Sequence, residues 1–215
     1  PALKVLTEHK NLGVVLCAMS LINGLASHNQ IAFESLLPYV VNTLSRIVID
    51  SGGCPLEYQY YRIHNPWLQI KCLRFLQYFK EPQGALWSSL SSVILRILSR
   101  GENEHDSVNI MNVSYALIFE AIALVISWGV TDTSGDHFEL REMTHKLLGR
   151  FISVNDANIK YLALDMLARV CKVDGVDETM QAYSNTAVSS LTDADMSVRK
   201  RALEVIFLIT NEKNA

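Results

Sequence analysis

A short helix-start pattern returns three times along the chain, and it constrains the fold more than any other feature. In each copy a β-branched residue precedes a cation near a polar cap and an apolar helical sequence, at Ile70-Lys71, Ile159-Lys160 and Val198-Arg199. The first copy is the clearest, because Asn65 is a good N-cap and Pro66 suits the first helical turn, where its missing N–H would be orphaned anyway. A repeated helix start of this kind indicates stacked pairs of α-helices.

Apolar residues recur at three- and four-residue steps through most of the chain, as on the buried face of an α-helix. The predicted helices cover 11–26, a segment from Asn29 to Val48 with a kink or break at Pro38, 66–79, 85–100, a long apolar helix from Ser107 or Asn109 to Trp128, 138–152, 155–171, 177–191 and 195–211. The segment from 51 to 64 has no helical period, so we expect a connection with a specific surface role.

The spacing of the pattern predicts the architecture. A unit of about 40–45 residues, with a further copy beginning near Val113, is typical of HEAT or armadillo repeats. The predicted fold class is therefore all-α, a right-handed α-solenoid of HEAT/armadillo-like helical pairs. We expect one solenoid segment across residues 1–215, with about five pairs.

Composition excludes several classes of protein. The chain is 49% hydrophobic with only 10 Gly and 5 Pro, which favours an ordered helical protein over a disordered one. Its net charge of −3 gives no reason to expect a nucleic-acid partner. The four cysteines, at positions 17, 54, 72 and 171, form no C-x-x-C motif, and they are predicted to be free core thiols in a reducing compartment.

The sequence offers little for catalysis. It contains no phosphate-binding glycine loop, H-E-x-x-H motif or nucleophile elbow, so we expect no catalytic, cofactor-binding or metal-binding residues and no enzyme. An all-helical metalloenzyme is the competing hypothesis, since some helical-repeat proteins bind iron through His-Glu pairs. The adjacent pairs in this chain, Glu8-His9 and Glu104-His105, have the opposite order. Trp67, Trp87 and Trp128 are interpreted as packing residues. Metal analysis of the purified protein separates the two hypotheses.

Two apolar segments bear on membranes and on assembly. The run from Tyr115 to Trp128 contains Glu120 and falls short of the ~20 residues of a membrane span. Both ends of the chain read as cut from a longer repeat array. The last helix carries more apolar residues than one preceding helix can cover, including Leu203 and Phe207, so the isolated chain is expected to self-associate or to be poorly soluble.

The last copy of the pattern holds the candidate binding residues. Arg199, Lys200 and Arg201 are a candidate patch for an acidic lipid or a partner protein. The competing interpretation is structural, because successive helical residues point in different directions. In that interpretation Asp193 satisfies orphaned N–H groups of the helix and pairs with Arg199.

A family resemblance is carried by several segments in the same order. These are Tyr60-Tyr61, the run PWLQIKCLRFLQYF from Pro66, SYALIFEA from Ser114, LGRFISV from Leu148, NIKYLAL from Asn158 and DMSVRKRAL from Asp195. Together they resemble the trunk of the adaptin family over nearly the whole chain from about residue 11. Trp67 after Pro66, together with the tyrosine pair, tilts the resemblance toward the alpha class of the plasma-membrane clathrin adaptor complex.

The resemblance implies a structural scaffold in endocytic vesicle formation and protein transport. Its implied partners are small sigma-type, medium and beta-type large adaptor subunits, with peripheral membrane association through the complex. Its implied location is the cytoplasm, at the cytosolic face of the plasma membrane in coated pits. The alternatives are another adaptin class, such as the gamma-like class of Golgi and endosomes, and a generic HEAT-repeat transport platform.

Overall fold

The computed structural model describes residues 11–50, 54–102, 107–129, 135–173 and 182–210. The α-helices in these ranges are α1 (Leu12–Ala26), α2 (Leu37–Val48), α3 (Pro66–Leu76), α4 (Ala85–Leu98), α5 (Val108–Trp128), α6 (Gly135–Ile152), α7 (Ala157–Val173), α8 (Ser184–Ser189) and α9 (Met196–Ile209). Short 3-10 helices lie at Ile31–Leu36, Leu56–Tyr58, Ser99–Glu102 and Ser190–Thr192. Both predicted chain ends and both acid–histidine pairs fall outside the described residues.

The helices belong to two compact units, Pro1–Trp128 and Gly129–Ala215. In the first unit α1 packs on α3 and α3 on α5, while α2 packs on α4. Helices α2 and α4 also contact their sequence neighbours α3 and α5. Alternate helices therefore form two layers, which is the packing of stacked helical pairs.

The second unit repeats this packing on a smaller scale. Helix α7 packs on α9, its next neighbour but one, while α6 contacts α7 and α8 contacts α9. Two copies of the repeated pattern lie in this unit, at the starts of α7 and α9, and the remaining copy lies at the start of α3. Within each unit the pattern thus marks helices that stack on a next neighbour but one, α3 on α1 and α5 in the first unit and α7 on α9 in the second.

Local signals explain where these helices begin. Asn11 accepts hydrogen bonds from the backbone of Gly13 and Val14, and caps α1. The predicted break at Pro38 is confirmed, since the 3-10 helix Ile31–Leu36 ends there and Pro38 occupies the first turn of α2. The predicted helix 177–191 is represented in the described part of the chain by the short α8 and the 3-10 helix after it.

Helix α5 is longer than the apolar run that the sequence analysis considered. It has 21 residues, and it is the one described helix with the length and composition to cross a membrane. Its side chains include Leu117, Ile118 and Ile122, which are fully buried against protein. A core helix that packs on both α3 and α4 has the same composition, because it too is surrounded by apolar groups.

A small hairpin replaces the expected irregular connection before α3. Strand β1 (Gln59–Tyr60) pairs antiparallel with β2 (Ile63–His64). The two turn residues between them, Tyr61 and Arg62, have φ values of 48° and 66°. Positive φ at both central positions is the geometry of tight two-residue hairpins, whose twist matches that of the strands.

Candidate interaction surfaces

The three predicted cations of α9 separate in space, and Arg199 is used inside the fold. Its guanidinium donates to the backbone carbonyls of Asp193 and Ala194, at 2.7 and 3.0 Å. These carbonyls belong to the turn that leads into α9. Arg199 therefore holds this turn against the helix.

The predicted ion pair between Asp193 and Arg199 is wrong. The Asp193 carboxylate instead accepts from Lys160 of α7, with 2.5 Å between Oδ2 and Nζ, and from the backbone N–H of Asp195. Lys160 is the cation of the preceding copy, and the stacking of α7 on α9 brings it to the turn. The hydrogen bonds from Lys160 and then from Asp195 lower the pKa of Asp193 below its usual value. The pair joins two repeats.

Arg201 is also committed to the interface between α7 and α9. Its guanidinium lies 3.2 Å from a carboxylate oxygen of Asp165, 3.1 Å from the Tyr161 hydroxyl and 5.4 Å from the centre of that ring. It also pairs with Glu204 one turn further along α9. The hydrogen bond with Tyr161, followed by the nearby carboxylates, raises the pKa of Arg201.

Lys200 is the member of the trio that points to solvent. It is exposed, and no hydrogen bond or ion pair joins it to the described residues. Met196, Leu203 and Phe207 share its face of α9 by helical spacing, and Phe207 is 74% exposed. The predicted lipid or partner patch remains a prediction, and Lys200 with this apolar stripe is the surface on which it now depends.

A second surface lies in the first unit between the hairpin, α3 and α5. It was not predicted from the sequence. It is an apolar groove of about 230 Å³, lined by Tyr60, Pro66, Trp67, Ile70, Asn109, Asn112, Val113 and Ala116. We call it the aromatic groove. Trp67 is 50% exposed and Tyr60 is 38% exposed, so Trp67 packs against the Tyr60 ring while half of its side chain remains accessible at the groove.

The rings beside the groove are held edge to face. The Tyr60 and Trp67 ring centres are 5.2 Å apart with 70° between the planes, and those of Tyr60 and Tyr61 are 4.6 Å apart at 89°. Asn109 fixes the Tyr61 ring from α5, because its amide nitrogen lies 2.7 Å from the Tyr61 hydroxyl. The groove therefore presents ordered aromatic faces.

Asn65 positions the hairpin against α3. Its backbone is left-handed, with φ 36° and ψ 63°, and its side chain accepts from the N–H of Leu68 as the N-cap of α3. Its own N–H donates to the Tyr58 carbonyl at 2.8 Å. The Gln69 amide donates to the His64 carbonyl at 2.6 Å, from a fully buried position. These bonds orient Trp67, which lies between Asn65 and Gln69.

Two sequence signals point toward this groove. The segment without helical period carries a tyrosine pair, and it was predicted to have a surface role. Trp67 also falls outside the buried stripe of α3, whose members include Leu68, Cys72 and Phe75. The sequence does not show that α5 forms the other side of the groove, because its asparagines lie more than 40 residues from Trp67.

The metalloenzyme hypothesis requires a cluster of metal-binding side chains. Across 11–50, 54–102, 107–129, 135–173 and 182–210 there is no group of three or more His, Cys, Asp or Glu residues that would hold an ion. Of the histidines in these ranges, His145 is buried at 5% exposure, and His28 is exposed.

Comparison with known proteins identifies a matching family and several similar proteins. The family described as the adaptin N terminal region matches residues 1–215. The AP-2 complex subunit alpha-1 of Arabidopsis thaliana is 36% identical over 211 residues, which are 98% of this chain and 20% of that protein. The AP-2 complex subunit alpha-2 of Dictyostelium discoideum is 35% identical over 203 residues, or 93% of this chain and 20% of that protein.

A more distant relative and a solved structure complete the comparison. The AP-1 complex subunit gamma of Dictyostelium discoideum is 28% identical over 217 residues, covering this chain fully and 22% of its own length. A computationally designed armadillo repeat protein for modular peptide recognition superposes with a TM-score of 0.57 at 12% identity, covering 98% of this chain and 81% of its own. This likeness confirms the predicted all-α solenoid of armadillo-like helical pairs.

Proposed function

Because the chain belongs to the adaptin family, whose N-terminal region it matches along its whole length, we propose that it is part of a large subunit of a clathrin adaptor complex. The chain spans 20% of the length of the AP-2 alpha relatives described above. The role therefore concerns a repeat segment of a longer scaffold. The scaffold supports endocytic vesicle formation and intracellular protein transport.

The alpha class of the plasma-membrane adaptor is the specific assignment that we propose. Identity to AP-2 alpha subunits is 35–36%, against 28% to an AP-1 gamma subunit. This difference carries the assignment. Its corollary is a location at the cytosolic face of the plasma membrane, and the gamma-like class of internal membranes is the alternative.

The proposed role of the chain is to hold other subunits in place. Stacked helical pairs expose extended surfaces on which partners bind without a closed pocket. Small sigma-type, medium and beta-type large subunits are the partners that the assignment implies. No catalytic step is required of the chain. Ion pairs between α7 and α9, such as Lys160 with Asp193, keep neighbouring repeats in fixed register.

Co-expression with defined subunits tests the assignment. The tagged chain is produced with the small, medium and beta-type subunits of AP-2, and separately with the corresponding AP-1 subunits. We expect stable recovery of an AP-2 subunit and none from the AP-1 set. Recovery of AP-1 subunits alone would favour the gamma-like class, and a folded chain that recovers neither set would contradict an adaptor role for this segment.

A further inference from the structure

The aromatic groove carries an inference that does not depend on adaptor assembly. We propose that it binds an extended, proline-containing peptide segment of another protein, with an acidic residue of that peptide reaching Arg62. The groove lies between the hairpin and α5, and its lining contains apolar, aromatic and amide side chains but no charged residue.

Size and shape favour a peptide over a small molecule. The groove holds about 230 Å³, below the roughly 300–1,000 Å³ of typical small-molecule sites. One or two side chains fit such a notch while the rest of an extended chain runs past it. Trp67 and Tyr60 form two walls inclined at 70°, against which a flat pyrrolidine ring packs on its face. A proline-rich segment is already extended when free, so it loses little conformational entropy on binding.

The amide side chains supply the backbone contacts that an extended peptide needs. Asn112 is exposed at the groove, and its amide has no partner among the described residues. A primary amide offers both a donor and an acceptor, so it can pair with the C=O and N–H of one peptide residue. Proline lacks an N–H, and its carbonyl is then the natural acceptor for this amide.

Charge decides whether the aromatic groove binds a cationic ligand or a neutral or acidic one. Rings set edge to face also bind cations, through the negative faces of the π-systems. Here the adjacent hairpin turn carries Arg62, which is exposed and has no hydrogen-bond or ion-pair partner among the described residues. Its charge repels a cationic ligand and attracts a carboxylate. The nearby Glu57 precedes the hairpin and is not part of the groove lining. The occupant is therefore neutral or acidic.

Fluorine NMR of the chain labelled with 5-fluorotryptophan tests the binding directly. The three tryptophans give one internal reporter, Trp67, and two controls, Trp87 and Trp128, whose rings contact each other edge to face. The probe is a synthetic dodecapeptide of proline, alanine and glutamate. We expect it to shift the Trp67 resonance alone. Two matched peptides, with lysine for glutamate and with glycine for proline, should bind at least roughly five-fold more weakly.

Variants tie the binding to the groove, with affinity measured by fluorescence polarisation of the labelled peptide. Trp67→Ala should weaken binding by about ten-fold or more. Arg62→Glu should abolish the preference for the acidic peptide, and Ala116→Gln should block the groove from an exposed helical position. Phe207→Ala and Lys200→Glu, exposed positions on α9, are the matched controls and should bind as the parent chain does.

Three results would overturn the proposal. The first is no Trp67 shift at millimolar acidic peptide, and the second is equal binding of the lysine peptide. The third is tighter binding of an oligothymidylate than of any peptide, because stacked aromatic rings beside an arginine also suit single-stranded nucleic acid. Circular dichroism of every variant checks that a loss of binding is not a loss of fold.

Discussion

The ammonium nitrogen of Lys160, near the start of α7, lies 2.5 Å from a carboxylate oxygen of Asp193, in the turn before α9. The two residues are 33 positions apart, so the pair reports on the stacking of one repeat against the next. Both partners are mostly shielded, with 18% and 14% of their side chains exposed. We expect this contact to make the stability of the second unit depend on pH.

Asp193→Asn should remove a pH-dependent contribution to stability. The pKa of Asp193 is lowered, chiefly by the hydrogen bond from Lys160, so the folded state favours the ionised carboxylate. Its contribution is complete above the ordinary aspartate pKa of about 3.9, and it is lost as pH falls through the lowered value. Urea unfolding should show the parent chain to be the more stable at pH 7, with the difference shrinking in acid. Asp50→Asn, at an exposed site, is the control and should change nothing.

Leu164→Ala should cost about 2–5 kcal/mol of unfolding free energy, because the side chain is fully buried in α7 and truncation leaves a cavity. Leu162→Ala on the same helix is the matched control, since Leu162 is 36% exposed. We expect a clearly smaller loss there, measured by urea unfolding. Equal losses at the two positions would show that α7 buries a different face.

Gly149→Ala should destabilise the second unit by about 1–3 kcal/mol through overpacking. A Cβ at this position would overlap the Tyr183 ring, with the hydroxyl oxygen only 2.8 Å away. Tyr183 cannot move freely, because its hydroxyl donates to the His145 carbonyl at 2.8 Å. Gly24→Ala in α1 meets nothing within 4 Å and should instead stabilise the chain by about 0.5–1 kcal/mol. Thermal unfolding should show a lower midpoint temperature for Gly149→Ala and a higher one for Gly24→Ala than for the parent chain.

Arg201→Glu and Lys200→Glu should have clearly different effects on the free energy of unfolding, although the residues are adjacent. The first places a carboxylate opposite Asp165 and Glu204, and it should cost roughly 1 kcal/mol or more. The second changes an exposed side chain and should leave unfolding unaltered. If the α9 surface binds acidic lipid, Lys200→Glu alone will weaken co-sedimentation with anionic vesicles. Equal stability of the two variants would show that the Arg201 contacts contribute nothing.

The thiols should react with Ellman's reagent in two classes. Cys17 is exposed, whereas Cys72 and Cys171 are buried, and burial raises the pKa of Cys72 to about 12. Because the thiolate is the reactive form, Cys72 should stay unmodified in the native chain and react only on unfolding. Mass spectrometry after brief labelling should find Cys17 modified first. Prompt labelling of Cys72 would mean that α3 opens readily.

Helix starts were predictable because their signals and their structures are both local. Asn65 and Asp195 each accept backbone N–H groups two or three residues ahead, so a short stretch of sequence contains the whole interaction. The free state of the cysteines was also foreseen, but Cys17 lies outside the core where it was expected. The spacing of apolar residues predicts that a helix forms more reliably than it predicts which side of that helix is buried.

Contacts between repeats were less predictable, because they depend on how helices stack. The sequence argument paired Asp193 with Arg199, which lies six residues along the chain, whereas packing of α7 on α9 brings Lys160 to its carboxylate. The aromatic groove has the same origin, since Trp67 and Asn112 line it from α3 and α5, two helices that pack on each other. The periodicity of a single sequence shows neither of these arrangements.

Glu120 has a consequence for the synthesis of the chain. In the folded state its carboxylate lies 2.8 Å from the Arg74 guanidinium and 2.7 Å from the Gln77 amide, so it links α5 to α3. It is also the only charged residue within α5, the described helix that is long and apolar enough to cross a bilayer. A charged residue near the middle of such a segment opposes insertion, by about 2.5–3.5 kcal/mol on translocon scales for aspartate, lysine or arginine. The same carboxylate that aligns two repeats therefore also biases the nascent helix away from the membrane before either repeat has folded.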